Sequence, residues 1–370
     1  MDAPFDIEII AQDITETQTP IYSFIKAIFQ SPETVSKKVA KLSDEIRNGA
    51  NAVDDTNLYT WDLWMIILDI AIRTPPDHPW QDILVGALQH VQQTGGRILT
   101  TPEDAFMNWT NLPHLAMYML DSWCDPADIS SVECTLEDME MWKNQNSFAA
   151  RITTETYAPW LNFPILAIKD AVDKNGEVDN KANTKKEDKE DKEDQEVSAA
   201  ALPHKQLDKH TIWVYHLWIA TEWLLRAGDI VFKKSLAPGK WERSTDPEKA
   251  AAEAIFEATL PPRRERLPWW KKRFAEFLDK KEKLGLSADL VERVAKSVEA
   301  IEKFQIDHPE AEEVTGPTKE AAKGEEGEGQ TNNTGESEVG RKPEATGPIP
   351  ETKPERLYQE EEKKTGGDGA

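Results

Sequence analysis

The segment from Leu58 to Arg73 carries the pattern that most restricts how this chain can fold. Large apolar side chains, among them Trp61, Met65 and Ile72, recur at three- and four-residue spacing, and the opposite face is also mostly apolar. A helix that is apolar on nearly every side must be surrounded by protein. The sequence therefore predicts a central helix here, with the rest of the fold packed around it.

Helix start and stop signals recur on both sides of that segment. Thr135 begins a capping-box pattern, and Ser287 precedes an amphipathic stretch that ends near Ile306. Gly49 and Gly228 follow other helical stretches and predict helix ends. No sustained alternation of β-branched and polar residues indicates a strand. We therefore predict an all-α fold, an irregular multi-helix bundle.

Two stretches lack the apolar residues that a core requires. Between 173 and 200 the tripeptide Lys-Glu-Asp occurs three times in tandem, and from 308 to 370 Gly, Glu, Lys, Pro and Thr dominate. Burial there cannot offset the entropy lost on ordering, so we predict a disordered charged insertion and a disordered acidic C-terminal tail. The predicted segments are N-terminal helices at 1–56, a helical core at 57–232, C-terminal helices at 233–307 and the tail at 308–370.

The charge balance restricts the partners that the chain can bind. Sixty-eight acidic against forty-four basic residues give a formal net charge of −24, which repels nucleic acid and anionic membranes. The most apolar segments fall short of the roughly 20 residues that span a bilayer. The first ten residues lack the basic start and apolar run of a secretory signal. We therefore expect an intracellular protein, cytoplasmic or nuclear, without membrane attachment.

Familiar patterns of catalytic or metal-binding residues are missing from the sequence. It contains no HExxH, Walker A, GxSxG or strand-following GxGxxG motif. Cys124 and Cys134 form no CxxC pair. His204, His210 and His216 are spaced by six, so on one helix they would point about 120° apart and could not share an ion. We predict no catalytic residues, no metal site and no cofactor, and the sequence leans against an enzyme without excluding one.

Thirteen tryptophans distinguish the composition. Several lie on predicted helices that should pack together, which produces a filled aromatic core or a groove between helices, and we favour the filled core. If a groove forms, Trp142 and Trp218 are its candidate floor and Arg151 is a candidate anion anchor. Arg151 could also form a structural ion pair with a carboxylate such as Asp170. These four residues make up the candidate binding site.

The segment 263–283 is the one strongly basic stretch, with nine basic residues against four acidic ones. Such a pattern is found on phosphate-binding surfaces, but it also fits an amphipathic helix whose lysines cover the outside. We favour the amphipathic helix and do not expect nucleic-acid binding. Its predicted inward-facing residues are Trp270, Phe274, Phe277 and Leu278.

Four short blocks of sequence resemble a known family. They are Trp142-Lys143-Asn144, Ser147-Phe148-Ala149-Ala150-Arg151, Ala167-Ile168-Lys169-Asp170-Ala171 and Trp218-Ile219. Through them the chain resembles, over roughly 58–228, a fungal family known as domain of unknown function 3632. The resemblance implies an intracellular helical protein, and no catalytic residues are established in that family to carry over.

The function that we favour from sequence is a non-catalytic helical protein-interaction or scaffold protein. Its charged insertion and tail would engage basic protein partners. One alternative is a small-molecule-binding protein or enzyme with an aromatic pocket between helices. Another is weak nucleic-acid binding through 263–283. A closed cavity containing Arg151 would favour the small-molecule alternative, and a filled core with an exposed apolar groove would favour the scaffold.

Overall fold

Helices make up the regular structure wherever the chain is described. A computed structural model describes residues 3–98, 107–128, 133–173, 207–236 and 263–309. Within these ranges there are ten α-helices and no strand, only two isolated bridges, so the all-α prediction is confirmed. In chain order the helices are α1 (Thr19–Gln30), α2 (Val35–Ala52), α3 (Thr56–Arg73), α4 (Pro79–Thr94), α5 (Leu115–Asp121), α6 (Leu136–Ile152), α7 (Asn162–Asp173), α8 (Lys209–Leu236), α9 (Arg263–Asp279) and α10 (Ala288–Asp307).

Helix α3 lies at the centre of the N-terminal part of the fold, as its apolar pattern predicts. Its first turn is capped by Asp55, whose side chain accepts a hydrogen bond from the backbone N–H of Leu58 at 2.9 Å. Leu63, Trp64 and Ile67 are fully buried. The helix packs against α2, α5 and α6, which surround it on several sides.

Helix α6 lies between α3 and α8 and packs against both. It begins at the predicted capping box, where the backbone N–H of Asp138 donates to Thr135 Oγ1 at 3.2 Å and the Thr135 N–H donates to Asp138 Oδ2 at 2.9 Å. Four consecutive polar residues in its middle, 144–147, are buried. Such residues need hydrogen-bond partners in the interior, and the neighbouring helices supply many of them.

Helix α8 is the longest helix and packs against α6, α7 and α10. The predicted helix end before Gly228 corresponds to a kink: Ala227 has non-helical backbone angles (φ −127°, ψ 18°), and a second helical segment continues from there to Leu236. A Cβ on Gly228 would lie 3.2 Å from Cε2 of Phe232. The glycine therefore allows Phe232 to pack closely beside the kink.

Gly49 lies inside a helix that the sequence predicts to end there. A Cβ on Gly49 would overlap the hydroxyl of Tyr59, which donates to the carbonyl of Ile46 at 3.2 Å. The predicted helix end at Gly49 is wrong because α2 needs a glycine there to admit this tyrosine. Helix α9 begins at Arg263, so Pro268 lies within it.

The C-terminal helices follow their predicted pattern. Helix α10 begins after Ser287, whose hydroxyl accepts from the backbone N–H of Leu290 at 3.3 Å. Gly285 adopts φ +59° in the turn between α9 and α10, a conformation that glycine adopts without strain. The apolar face of α9 is directed inward, with Trp270, Phe274 and Phe277 buried and Leu278 half-buried.

All described residues belong to one compact unit of the chain, Met1–Gly316, and a second unit, Pro317–Ala370, lies outside them. The predicted disordered insertion at 173–200 falls outside the described residues except for its first residue, and so does the predicted tail beyond Pro309. The predicted division into segments stays a prediction. None of the described helices is long and apolar enough to cross a membrane.

Candidate functional site

A cavity of about 260 Å³ lies between α6, α7, α8 and the segment 123–128. We call it the His216 cavity. Its volume is slightly below the roughly 300–1,000 Å³ of drug-sized ligand sites, so it suits a small molecule or one side chain. It is lined by Trp123, Asp125, Asp128, Trp142, Asn146, Phe163, Leu166, Ala167, Asp170, His216 and Ile219.

Three aromatic rings form one wall of the cavity. Trp123 stacks on Phe163 with ring centroids 3.9 Å apart and planes within 6°. Trp142 meets Trp123 edge to face, with centroids 4.8 Å apart. These are favourable arrangements for aromatic pairs, so the rings hold one another in place. The wall is therefore formed before any ligand arrives.

Asp125 is positioned by the short 3₁₀ helix Pro126–Asp128. Its Oδ1 accepts from the backbone N–H of Ala127 at 2.9 Å, and its carbonyl accepts from the N–H of Asp128 at 3.0 Å. These bonds form an Asx turn, which directs the other carboxylate oxygen away from the backbone. Oδ2 lies 2.9 Å from Nε2 of His216, across the cavity wall.

His216 is a buried histidine whose hydrogen-bonding capacity is not met. Its side chain is 3% exposed. Although Nε2 is close to Asp125, neither ring nitrogen has a hydrogen bond of acceptable geometry with a described residue. Buried polar groups in folded proteins are almost always hydrogen-bonded, to protein or to bound molecules. Nδ1 of His216 has no partner among the described residues, so it is an atom of the cavity wall with which a bound molecule can form a hydrogen bond.

The cavity is acidic. Asp125, Asp128 and Asp170 line it, and among the described residues of its walls there is no lysine or arginine. Each of these three carboxylates also takes part in a further interaction within the protein.

The four predicted site residues separate in the structure. Trp142 and Asp170 both line the His216 cavity. Trp218 does not line it, because the guanidinium of Arg293 lies over its ring, 4.2 Å from the centroid. The floor predicted from Trp142 and Trp218 is therefore not found.

Arg151 lies in the last turn of α6, beside the start of α4. Its guanidinium donates to the carbonyl of Pro76 at 3.1 Å and pairs with Asp82. It does not pair with Asp170, because α6 and α4 bring a different carboxylate next to it. Arg151, the predicted anion anchor, therefore joins α6 to α4 and lies outside the His216 cavity.

The sequence reading missed Trp123, Asp125, Phe163 and His216 as members of one site. The Asp-Pro dipeptide at 125–126 is a turn signal that could have been noticed. It does not reveal which helix the turn faces. The sequence analysis considers His216 only as a metal ligand, and the structure places it in the cavity wall, buried beside Asp125.

A second cavity, of about 250 Å³, lies between α3, α5 and the N-terminal 3₁₀ helix Ile7–Gln12. Its walls combine apolar residues such as Met65 and Ile72 with polar ones such as Gln18 and Asp69. None of the unsatisfied buried side-chain atoms in the described part of the chain belongs to a residue that lines it. The polar requirement of His216 therefore makes the first cavity the stronger candidate site.

Glu222, also on α8, contrasts with His216. It is 1% exposed, and its carboxylate accepts from Ser147 Oγ at 2.8 Å and from Arg226 Nε at 3.2 Å, and pairs with Arg293. Burial raises the pKa of Glu222, but Arg293, aided by Ser147 and Arg226, more than offsets this and lowers the pKa below its ordinary value. Both oxygens are occupied, so this cluster fastens α6, α8 and α10 together.

The basic segment 263–283 makes many contacts within the protein. Lys271 pairs with Glu302 at 3.1 Å, and Arg273 donates to the carbonyl of Val172 at 2.9 Å. Arg266 is 2% exposed. Of its aromatic residues, Trp270, Phe274 and Phe277 are buried and Trp269 is half-buried.

The fold and the site define an all-α protein with an acidic, aromatic-walled cavity between three helices. The model of a family described as "Protein of unknown function (DUF3632)" matches residues 64–274, and the chain belongs to this family. The resemblance noted in the sequence is thereby confirmed. The match includes every residue that lines the His216 cavity. Comparisons with curated proteins and with solved structures gave no significant match.

Proposed function

We propose that this protein is a non-catalytic helical binding protein and that the His216 cavity is its ligand site. The observation that carries the proposal is the buried imidazole of His216, which lines the cavity without a satisfactory hydrogen bond among the described residues. Leaving a buried polar group unsatisfied costs about 1–3 kcal/mol. A ligand that bonds to His216 would recover that free energy on binding.

The position of Arg151 supports this site over the aromatic pocket expected from sequence. That pocket requires a guanidinium that is available to an anion, and Arg151 is engaged with Asp82 and Pro76. The His216 cavity provides carboxylates and aromatic rings instead. Its size fits a small molecule or a single side chain of a protein partner, so binding and scaffolding are compatible uses of the same site.

The test is ligand-observed NMR on the full chain, with a panel of cationic, neutral and anionic fragments small enough for the cavity. Ala167 lines the cavity and is half-buried, so Ala167→Leu should fill part of it. Ala116→Leu, at a half-buried position on α5 outside the cavity, is the matched control. Circular dichroism verifies that both variants fold.

We expect at least one class of fragment to bind the wild type and the Ala116→Leu control and to lose its signal with Ala167→Leu. The proposal fails if no fragment of any charge binds the wild type. It also fails if Ala167→Leu binds every fragment as the wild type does, because binding would then lie elsewhere.

We also propose that protein partners with basic surfaces bind the acidic segments at 173–200 and 308–370. The support is the charge of −24 and the acidic composition of these segments. The test is affinity capture with the full chain and with a chain ending at Asp307. Partners that bind the tail should be lost on truncation. A second chain lacking 174–200 should lose those that bind the insertion, and equal retention by both shortened chains would contradict the proposal.

We further propose that the protein acts inside fungal cells, in the cytoplasm or the nucleus. Two observations support this: the sequence blocks shared with the fungal family, and the free thiols of Cys124 and Cys134, which suit a reducing compartment. Fluorescence microscopy of the tagged chain in a fungal host tests it. Signal in the secretory pathway would contradict the proposal.

A further inference from the structure

We infer that the ligand of the His216 cavity is a small aromatic group that donates one hydrogen bond, and that Nδ1 of His216 accepts this bond. This inference rests on the proposed function and adds the chemical class of the ligand. A free phenol is the simplest molecule of this class, and the tyrosine side chain of a partner protein carries the same group.

The position of the proton on His216 determines which kind of group the ring can bind. Nε2 lies 2.9 Å from Oδ2 of Asp125. The geometry is poor for a hydrogen bond, but two atoms that both present lone pairs would repel at this distance, so we place the proton of the neutral ring on Nε2. A neutral imidazole that carries its proton on Nε2 has a hydrogen-bond acceptor at Nδ1.

Nδ1 is therefore a polar atom of the cavity wall that needs a donor. It is buried, because the His216 side chain is 3% exposed, and it has no hydrogen-bond partner among the described residues. An acceptor bonds to an O–H or N–H group and not to the oxygen of a carboxylate or a carbonyl. A ligand that places a donor beside Nδ1 removes the cost of leaving this nitrogen unsatisfied, and a ligand without a donor does not.

The carboxylates of the cavity do not enter this selection. Asp125, Asp128 and Asp170 each take part in a further interaction within the protein. Where the chain is described, no lysine or arginine lines the cavity, so an anion meets no cationic side chain there. The choice of ligand therefore depends on Nδ1 of His216 and on the apolar part of the lining.

The apolar lining favours an aromatic ring as the body of the ligand. Trp123, Trp142 and Phe163 contribute ring surface to the cavity, and Leu166 and Ile219 contribute aliphatic surface. Aromatic pairs in edge-to-face or offset stacking gain more than their buried area alone provides. A flat ring therefore gains contacts that a saturated ring of the same size does not. The volume of about 260 Å³ is below the range of drug-sized ligand sites and suits one ring.

The test is an NMR titration of the full chain with phenol, toluene, benzonitrile and cyclohexanol. Toluene has the ring without a polar group, benzonitrile has the ring with an acceptor alone, and cyclohexanol has the donor without an aromatic ring. Phenol should bind about tenfold tighter than each of the other three, because only phenol combines the ring with the donor. If any of the other three binds as tightly as phenol, the inference fails.

Two variants identify the acceptor. His216→Phe keeps a flat ring in the cavity wall and removes Nδ1, so the ratio of phenol affinity to toluene affinity should fall by about tenfold. His210→Phe is the matched control on α8, because His210 is half-buried and does not line the cavity. It should leave the ratio unchanged. A ratio that is unchanged in His216→Phe, or that falls equally in both variants, overturns the inference. Circular dichroism verifies that both variants fold.

A short peptide containing one tyrosine, compared with p-cresol, distinguishes the two sources of the ring. Tighter binding of the peptide identifies a partner's tyrosine, and tighter binding of p-cresol identifies a small molecule. If fragments of the panel bind in the cavity but phenol binds no tighter than toluene, the inference fails while the proposed binding function stands. If neither these compounds nor any fragment of the panel binds, the proposed function fails as well.

Discussion

Glu222 and His216 are two buried ionisable side chains on the same helix, six residues apart, with opposite surroundings. Glu222 is satisfied by three partners from α6, α8 and α10. His216 lies next to one carboxylate, that of Asp125, and neither of its nitrogens is satisfied by a described residue. The carboxylate oxygens of Glu222 therefore all have hydrogen-bond partners, whereas the ring nitrogens of His216, on another side of α8, do not.

The difference separates a residue that stabilises the fold from a residue that is available for binding. Six residues turn an α-helix by about 600°, so the two side chains leave α8 in directions about 120° apart. Glu222 faces α6 and α10, while His216 faces the cavity beside α7 and 123–128. If this interpretation is correct, changing Glu222 should damage stability, and changing His216 should damage binding alone.

Removing the charge of Glu222 should have the largest effect. Glu222→Gln leaves the guanidinium of Arg293 without its buried partner, and breaking such pairs costs about 3–5 kcal/mol of unfolding free energy. Urea unfolding followed by circular dichroism measures the loss. The matched control is Glu292→Gln, an exposed residue paired with Lys296, which should leave stability unchanged within error. Equal losses of unfolding free energy in both variants would show that the burial of Glu222 does not determine the size of the loss.

The stabilisation by Glu222 should disappear in acid. Its pKa in the folded protein is below the ordinary value of 4.5, so its contribution is complete above that pH and is lost as the pH falls through the lowered pKa. The stability difference between the wild type and Glu222→Gln should stay constant from neutral pH to about pH 5 and shrink below it. A difference that grows on acidification would contradict this. Urea unfolding at a series of pH values measures it.

Trp223→Phe tests a neighbouring polar contact, and its effect on the unfolding free energy should be intermediate in size. The indole N–H of Trp223 donates to Oδ1 of Asn146 at 2.9 Å, and both residues are fully buried. Losing this donor leaves a buried amide oxygen unsatisfied and should cost about 2 kcal/mol in urea unfolding. Trp61→Phe, at a half-buried position, should cost less. A loss no larger than that of Trp61→Phe would mean that Asn146 finds another donor.

His216→Leu should have the smallest effect on stability. It removes an unsatisfied buried imidazole and leaves Asp125 its hydrogen bond from Ala127, so the unfolding free energy should change by less than about 1 kcal/mol. Urea unfolding measures the stability, and ligand-observed NMR with the fragment panel should show loss of binding. A loss of stability as large as that of Glu222→Gln would make His216 a structural residue and remove the basis of the comparison.

Much of the fold could be predicted because its signals are local. The capping box at Thr135, the cap at Ser287 and the apolar pattern of α3 are read within one or two helical turns. The predicted helix end at Gly49 is wrong because that glycine makes room for the ring of Tyr59, whereas the predicted end before Gly228 corresponds to the kink at Ala227. Glycine is used for close packing as well as for helix ends, and only the packing partner distinguishes the two uses.

The candidate site could be predicted only in part. Trp142 and Asp170 were named from sequence and both line the cavity, but Arg151 and Trp218 contact other parts of the protein. Arg151 meets Asp82, a residue far away in the chain. Nothing in the spacing of those residues indicates which of many carboxylates would be the partner.

The sequence by itself determined that the described chain is helical and that the whole chain is acidic, because helix periodicity, capping and charge depend on residues close together. The tertiary structure alone decided that Asp125 meets His216 and that Ser147 meets Glu222. These pairs join segments that are distant in sequence, and their contact depends on how the helices pack. Packing directs one face of α8 into a closed ion cluster and leaves His216 beside an open cavity.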